Sequence, residues 1–143
     1  MKYRFYGAET PSVKPTAKEF EKIQDQRHLY DLLSSVWCKY TCAPRLREAW
    51  TEQNKTLGQC SITAFLVQDV FGGDVYGVPL EGGGVHCYNL VNGVRFDLTS
   101  EQFGDEKLVY DDTHPQSRKE HFSDAEKFAR YTYLKNSLLK IIG

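Results

Sequence analysis

Three side chains in the middle of the sequence are of the types that nucleophilic catalysis uses: Cys60, His86 and Asp97. A thiolate is a strong nucleophile, but an ordinary cysteine is mostly protonated near neutral pH and reacts well only where its pKa is lowered. Cys60 lies near the start of the apolar stretch 57–71, which we interpret as a buried helix. Unpaired N–H groups at a helix start favour the thiolate, and they could also stabilise an oxyanion.

The spacing of His86 and Asp97 predicts that they meet across a β-hairpin. The dipeptide at 92–93 is Asn-Gly, a strong signal for a type I′ turn, because both positions of that turn need a positive φ. Residues 85–91 and 94–99 should therefore pair as antiparallel strands. Counting outward from the turn places His86 and Asp97 on one face as diagonal neighbours. A base oriented by a carboxylate is what a nucleophilic cysteine requires.

A zinc site is the competing use of these residue types. Cys38, Cys42, His86 and Cys87 are four possible ligands. The paired Cys-x-x-Cys spacing of zinc sites is absent, and alternation along a strand should send His86 and Cys87 to opposite faces. We therefore predict no metal and no cofactor, and we expect Cys38 and Cys42 to be neighbouring core thiols.

The composition is that of one domain spanning residues 1–143. The formal net charge is −1 and no run of Lys or Arg occurs, which argues against a nucleic-acid partner. No apolar run reaches the roughly 20 residues of a membrane span, and the first residues lack the apolar core of a signal peptide. We therefore expect a cytoplasmic protein with no membrane partner, whose four cysteines are reduced thiols.

The elements that must position these side chains can be predicted from helix caps, breakers and turns. The order of helices, then strands, then a helix favours an α+β fold with an antiparallel sheet. The predicted elements are a helix opened by a capping box at 16–19 and extending to Val36, a short helix from Pro44 to Trp50, the central helix ended by Gly72-Gly73, a strand at 74–80, a flexible connection at 82–84, the hairpin, a further strand at 108–110, and a terminal helix opened by a capping box at 123–126.

The joint pattern of these motifs resembles the bacterial YunG-like family. The resemblance covers about residues 30–104 closely and the tail loosely, and its specificity comes from the combination. The motifs are Gly58-Gln59-Cys60-Ser61-Ile62-Thr63-Ala64, Val67-Gln68-Asp69-Val70-Phe71-Gly72-Gly73, His86-x-Tyr88-Asn89, Gly93, and Asp97-Leu98-Thr99-x-x-Gln102-Phe103, with Trp37, Thr41, Trp50 and Asn54 upstream.

The chain order Cys, His, Asp is also similar to that of papain-like and transglutaminase-like cysteine enzymes. That resemblance implies a small core in which a central helix with an N-terminal cysteine packs on an antiparallel sheet, flanked by N- and C-terminal helices. One departure is Cys87, which stands next to the histidine where a large aromatic residue is expected.

Two classes of function follow from the sequence. The first is a thiol acyl-transfer enzyme acting on an amide- or peptide-type substrate by hydrolysis, deamidation or transglutamination. Cys60 would be its nucleophile, His86 its base and Asp97 the group that orients the base. Gln59, Asn54 and Trp37 are the candidates for substrate contacts or the oxyanion hole, and the sequence does not choose among them. The alternative is a non-catalytic interaction or immunity-type domain that retains the fold.

Overall fold

The structure, a computed structural model, describes residues 3–143. In that range, helices surround an antiparallel sheet of strand order β1-β2-β3, which confirms the predicted α+β class. The elements in chain order are a 3₁₀ helix at Lys18–Phe20, α1 at Gln26–Ser34, a 3₁₀ helix at Pro44–Ala49, α2 at Cys60–Phe71, β1 at Asp74–Pro79, β2 at Val85–Val91, β3 at Val94–Phe96, a 3₁₀ helix at Ser100–Phe103, α3 at Arg118–Phe122 and α4 at Ala125–Ile142. None of the helices in residues 3–143 combines the length and apolar character needed to cross a membrane.

Helix α2 forms the centre of the core, because eight of its twelve residues are buried. It packs on β2 and β1 and also contacts α4. Its buried side chains are Ile62, Thr63, Ala64, Phe65, Leu66, Val67, Val70 and Phe71. The helix ends at Gly72, which has a φ of 81°. Gly73 also has a positive φ, and a Cβ there would lie 2.5 Å from the Leu90 carbonyl oxygen. These glycines let the chain turn directly from α2 into β1, as predicted.

The hairpin has the predicted turn and register. Asn92 and Gly93 have φ angles of 51° and 79°, as a type I′ turn requires. Leu90 pairs with Arg95, and the flanking pairs of the ladder are equally regular. The turn therefore sets which residues of β2 and β3 share a face.

Strand β3 is shorter than predicted, because Asp97 begins a turn. Its side chain accepts a hydrogen bond from the Thr99 N–H at 3.1 Å, and its carbonyl accepts one from the Ser100 N–H at 3.2 Å. Local bonds of this kind compete with a strand ladder. The ladder between β2 and β3 therefore stops at Phe96. On the side away from β1, His86 and Cys87 of β2 have no strand partner.

Two predicted helix starts and one predicted strand are wrong. Thr16 does not cap a long helix; its N–H donates to the Val70 carbonyl at 2.8 Å, and α1 begins later, capped by Asp25. The terminal helix is capped by Asp124 and not by Ser123, which instead ends α3. The predicted strand at 108–110 is irregular chain, whose backbone joins no sheet.

We predict that Asp25 is the residue on which the start of α1 depends. Its carboxylate accepts a hydrogen bond from the His28 N–H at 3.0 Å, and losing such a cap costs about 1 kcal/mol. Asp25→Ala should lower the free energy of unfolding by that amount in urea, whereas Asp25→Asn, which keeps a capping oxygen, should lose less. Thr16→Ala should change it by under about 0.5 kcal/mol, because Thr16 is exposed. Equal losses for Thr16→Ala and Asp25→Ala would contradict this assignment.

Candidate active site

Cys60 is the first residue of α2. The residue before it, Gln59, makes no side-chain cap, so the amides of the first helical turn have no capping group. The positive end of the α2 dipole therefore lies next to Cys60, where it favours a thiolate. Cys60 is half-buried and is less buried than His86 and Asp97.

His86 and Asp97 form a buried hydrogen-bonded pair. His86 Nε2 lies 2.6 Å from Asp97 Oδ2, and each side chain is only 1% exposed. The approach predicted from the hairpin register is therefore present. The pair is further enclosed by Phe103, whose ring meets the imidazole edge-to-face with centroids 4.7 Å apart.

Asp97 is held by three further hydrogen bonds. Its Oδ1 accepts from the Thr99 N–H at 3.1 Å and the Thr99 hydroxyl at 3.3 Å, and its Oδ2 accepts from the Tyr110 hydroxyl at 2.7 Å. A buried carboxylate needs such donors, because removing it from water is costly. These bonds fix the plane of the carboxylate and with it the orientation of the His86 ring.

The Cys60 sulfur lies close to two neighbouring residues of β2, His86 and Cys87, and both lower its pKa. Nε2 of His86 is taken by Asp97, which leaves Nδ1 for the sulfur. This nitrogen is buried and has no hydrogen-bond partner in the structure. Cys87 therefore lies beside the candidate nucleophile, a contact that the sequence did not predict.

These contacts shift the thiol and imidazole pKa values in opposite directions. The Cys87 thiol, followed by His86, lowers the pKa of Cys60 well below its usual range, against the effect of burial. Burial acts to lower the pKa of His86, but the Asp97 carboxylate and the Cys60 sulfur outweigh it and raise that pKa to about 10. The neighbouring Cys60 and burial raise the pKa of Cys87 well above its usual range. These shifts favour a thiolate at Cys60 beside an imidazolium at His86 near neutral pH.

The three candidates for substrate or oxyanion contacts have different surroundings. The Trp37 indole N–H donates to the Thr63 hydroxyl at 3.0 Å, so its one polar hydrogen is used in the core. Gln59 is buried, and its amide N–H₂ donates to the Cys38 carbonyl at 3.2 Å. Asn54 lines a surface cavity. Of the three, Gln59 alone adjoins Cys60 in the chain, and it keeps a second amide hydrogen.

That cavity has a volume of about 900 Å³. Asn54 and Trp37 line it, and Tyr110, which donates to the Asp97 carboxylate, lines it as well. Neither Cys60 nor His86 contributes to its walls, so the cavity adjoins the site through Tyr110 and not through the nucleophile.

Within residues 3–143, no group of three or more His, Cys, Asp or Glu side chains is arranged to hold a metal ion. Of the zinc ligands considered above, Cys42 is buried against Gly58, where an added Cβ would come within 2.5 Å of its sulfur. His86 and Cys87 instead lie beside Cys60 and lower its pKa.

Sequence reasoning missed the partners that complete the site. Tyr110 lies in irregular chain, so no periodicity could place it beside Asp97. Cys87 is next to His86 in the sequence, but nothing in the sequence shows that β3 ends before it could pair with Cys87.

Lys127 and His121 lie near the two thiols, and Lys127 Nζ donates to His121 Nδ1 at 3.0 Å. Burial and the Lys127 charge lower the pKa of His121, whereas the Cys60 thiolate acts against them.

The chain is similar to known proteins of one family. A family model described as YunG protein matches residues 25–143, a range that includes Cys60, His86 and Asp97. A protein of Bacillus subtilis (strain 168), named "Uncharacterized protein YunG", is 34% identical over 110 residues, which cover 77% of this chain and 88% of that relative. No solved structure matches the chain.

We predict that Cys60 is the thiol most reactive towards iodoacetamide at about pH 6, where an ordinary cysteine is ionised in only about one molecule in 300. The thiolate–imidazolium pair persists from the lowered Cys60 pKa up to the His86 pKa of about 10. The alkylation rate of Cys60 should therefore stay nearly constant over a range in which an ordinary thiol gains about tenfold per pH unit. Peptide mass spectrometry after timed quenching measures each site.

The control for this measurement is His86→Ala, which removes the cation beside the sulfur. It should slow Cys60 alkylation at about pH 6 by roughly tenfold or more and restore a rise with pH. Equal alkylation rates at Cys38, Cys42, Cys60 and Cys87, or a Cys60 rate that rises with pH like that of a free thiol, would count against an activated nucleophile.

Proposed function

The chain belongs to the YunG family, and we propose that it is a thiol acyl-transfer enzyme that acts on an amide- or peptide-type substrate. The observation that carries the proposal is the buried His86–Asp97 hydrogen bond with the Cys60 sulfur close to the same imidazole. The base is thus oriented by a carboxylate and lies beside the nucleophile, which is the least buried of the three residues. A merely structural buried cysteine would have its pKa raised by burial, whereas that of Cys60 is lowered.

The reaction would begin with attack of the Cys60 thiolate on the substrate carbonyl carbon. The carbonyl oxygen becomes an oxyanion, for which the N–H groups of the first turn of α2 are the nearest donors by position, including that of Cys60 itself. His86 then gives its Nδ1 proton to the leaving nitrogen, and the amide C–N bond breaks. The products of this half-reaction are an amine and a Cys60 thioester.

The thioester would be resolved by a second nucleophile. Water or an amine loses a proton to Nδ1 of His86 as it attacks the thioester carbonyl, and the Cys60–carbonyl bond breaks to return the thiolate. Asp97 keeps its hydrogen bond to Nε2 throughout and steadies the imidazolium. Hydrolysis and acyl transfer differ only in this second nucleophile.

The core that this proposal implies is of papain-like or transglutaminase-like type. Its support is the position of the cysteine at the start of the buried helix α2, with the histidine on β2 and the aspartate just after β3. We also propose that the enzyme works in the cytoplasm, since a reducing compartment keeps a reactive thiol free.

An acyl-enzyme trap tests the proposed function. With a p-nitrophenyl ester of a short carboxylic acid as probe, the wild type should release p-nitrophenolate over many turnovers, and rapid acid quenching should show one acyl group on Cys60 that hydroxylamine removes. Cys60→Ala should show neither, because the thioester cannot form. Release that stops after one acyl group per chain, or that is unchanged in Cys60→Ala, would contradict an enzyme.

Asp97→Asn and Tyr110→Phe form a matched pair for the same assay. Each loses one hydrogen bond at Asp97, worth about 1 kcal/mol in the free energy of unfolding, but only Asp97→Asn removes the charge beside His86. Asp97→Asn should therefore slow turnover by up to about 10⁴-fold and Tyr110→Phe far less. Equal slowing of the two variants, or a denaturant midpoint that falls in Asp97→Asn without slower turnover, would make Asp97 a structural residue only.

A further inference from the structure

Cys60 and Cys87 are neighbours because of the way β2 packs on α2. The Asn89 side chain of β2 donates to the Ala64 carbonyl of α2 at 2.9 Å, which fixes the strand against the helix. Cys87 is two residues before Asn89 and therefore on the same face, and Cys60 is one helical turn before Ala64. The two steps bring the thiols together, and the effect of each thiol on the pKa of the other agrees with that placement.

We propose that Cys60 and Cys87 are the site of a reversible oxidative modification, in which a hydroperoxide converts the two thiols to an intramolecular disulfide. The proposal does not depend on acyl transfer: it needs only a reactive Cys60 and a second thiol within reach. Because the disulfide consumes the nucleophile, it would also switch off any chemistry that Cys60 performs.

The two steps balance without a cofactor. The Cys60 thiolate attacks the outer oxygen of the hydroperoxide, the O–O bond breaks, and the leaving oxygen takes a proton, so water or an alcohol is released and Cys60 becomes a sulfenic acid. The Cys87 sulfur then attacks the Cys60 sulfur, the S–O bond breaks, and the Cys87 proton leaves with the oxygen as water. The peroxide is reduced and the two cysteines are oxidised.

The exposure of the two thiols assigns them these separate roles. Cys60 is half-buried and is the more accessible of the two to a small peroxide, whereas Cys87 is only 1% exposed. Both the thiol and the backbone N–H of Cys87 act on the Cys60 sulfur, so the two residues lie side by side. A sulfenic acid formed at Cys60 is therefore beside its resolving thiol.

The other two cysteines do not offer the same arrangement. Cys42 is buried, and its thiol is directed to the Ala43 carbonyl at 3.5 Å. Burial raises the pKa of Cys42, which leaves it protonated and slow to react with peroxide. The Cys38–Cys42 pair therefore serves as an internal control.

The test is one molar equivalent of hydrogen peroxide added to the reduced full chain near neutral pH, followed by intact mass and non-reducing peptide mapping. The wild type should lose two hydrogen atoms, yield a peptide that joins Cys60 to Cys87, and lose at least about nine-tenths of its Cys60 alkylation. Dithiothreitol should restore that alkylation. A double variant, Cys38→Ser with Cys42→Ser, should behave as the wild type does.

Cys87→Ser is the matched variant, because serine keeps a hydrogen-bond donor next to Cys60 but cannot form the disulfide. It should gain oxygen atoms at Cys60 and lose alkylation that dithiothreitol restores only in part. Cys87→Ala gives the same readout should the serine variant fold poorly. Oxygen addition to wild-type Cys60 without a disulfide, a disulfide through Cys38 or Cys42, or no reaction with peroxide would each overturn the proposal. None of these readouts uses acyl transfer, so the proposal can fail while the enzyme assignment holds.

Discussion

The Asp97 carboxylate is the group on which the arrangement of the site depends. Two oxygens that are almost out of contact with water accept hydrogen bonds from His86, Thr99 and Tyr110. A carboxylate buried in this way is tolerated only because those donors replace water. One residue thus ends β3, anchors the irregular chain at Tyr110 and fixes the base.

The early end of β3 has a second consequence, on the other side of His86. In a ladder that continued regularly from the turn, the Cys87 N–H would have paired with residue 98. The turn at Asp97 removes that partner, and Cys87 instead lies beside Cys60 at the start of α2. The unpaired strand edge and the uncapped helix end therefore come together near the Cys60 sulfur, where both favour the negative charge of a thiolate.

Local signals in the sequence were enough for the parts of the fold set by short-range constraints. Asn92-Gly93 fixed the hairpin register, the Gly72-Gly73 pair ended α2, and the period-2 alternation brought His86 to Asp97. The wrong boundaries have a common origin: a side chain has several possible local partners, and tertiary contacts decide among them. Thr16 fits a capping box by sequence, but its N–H donates to the Val70 carbonyl of α2, and the residue that caps α1 is Asp25.

The site was harder to predict where it depends on contacts distant in sequence. Strand alternation predicts which residues share a face, but it does not show that Cys60 comes close to both His86 and Cys87. Tyr110 reaches Asp97 from irregular chain, for which no periodic pattern exists. The Trp37 indole was a plausible oxyanion donor by residue type, but the core uses its N–H for Thr63.

The central claim is that His86 is an imidazolium held between a carboxylate and a thiolate. Titration of ¹⁵N-labelled histidine by NMR tests it most directly, with His86→Gln to assign the signal. The account predicts that both ring nitrogens of His86 are protonated near neutral pH and that the ring titrates with a pKa of about 10. A His86 signal that shows a single neutral tautomer near neutral pH, with a pKa near the ordinary value of about 6.5, would contradict it.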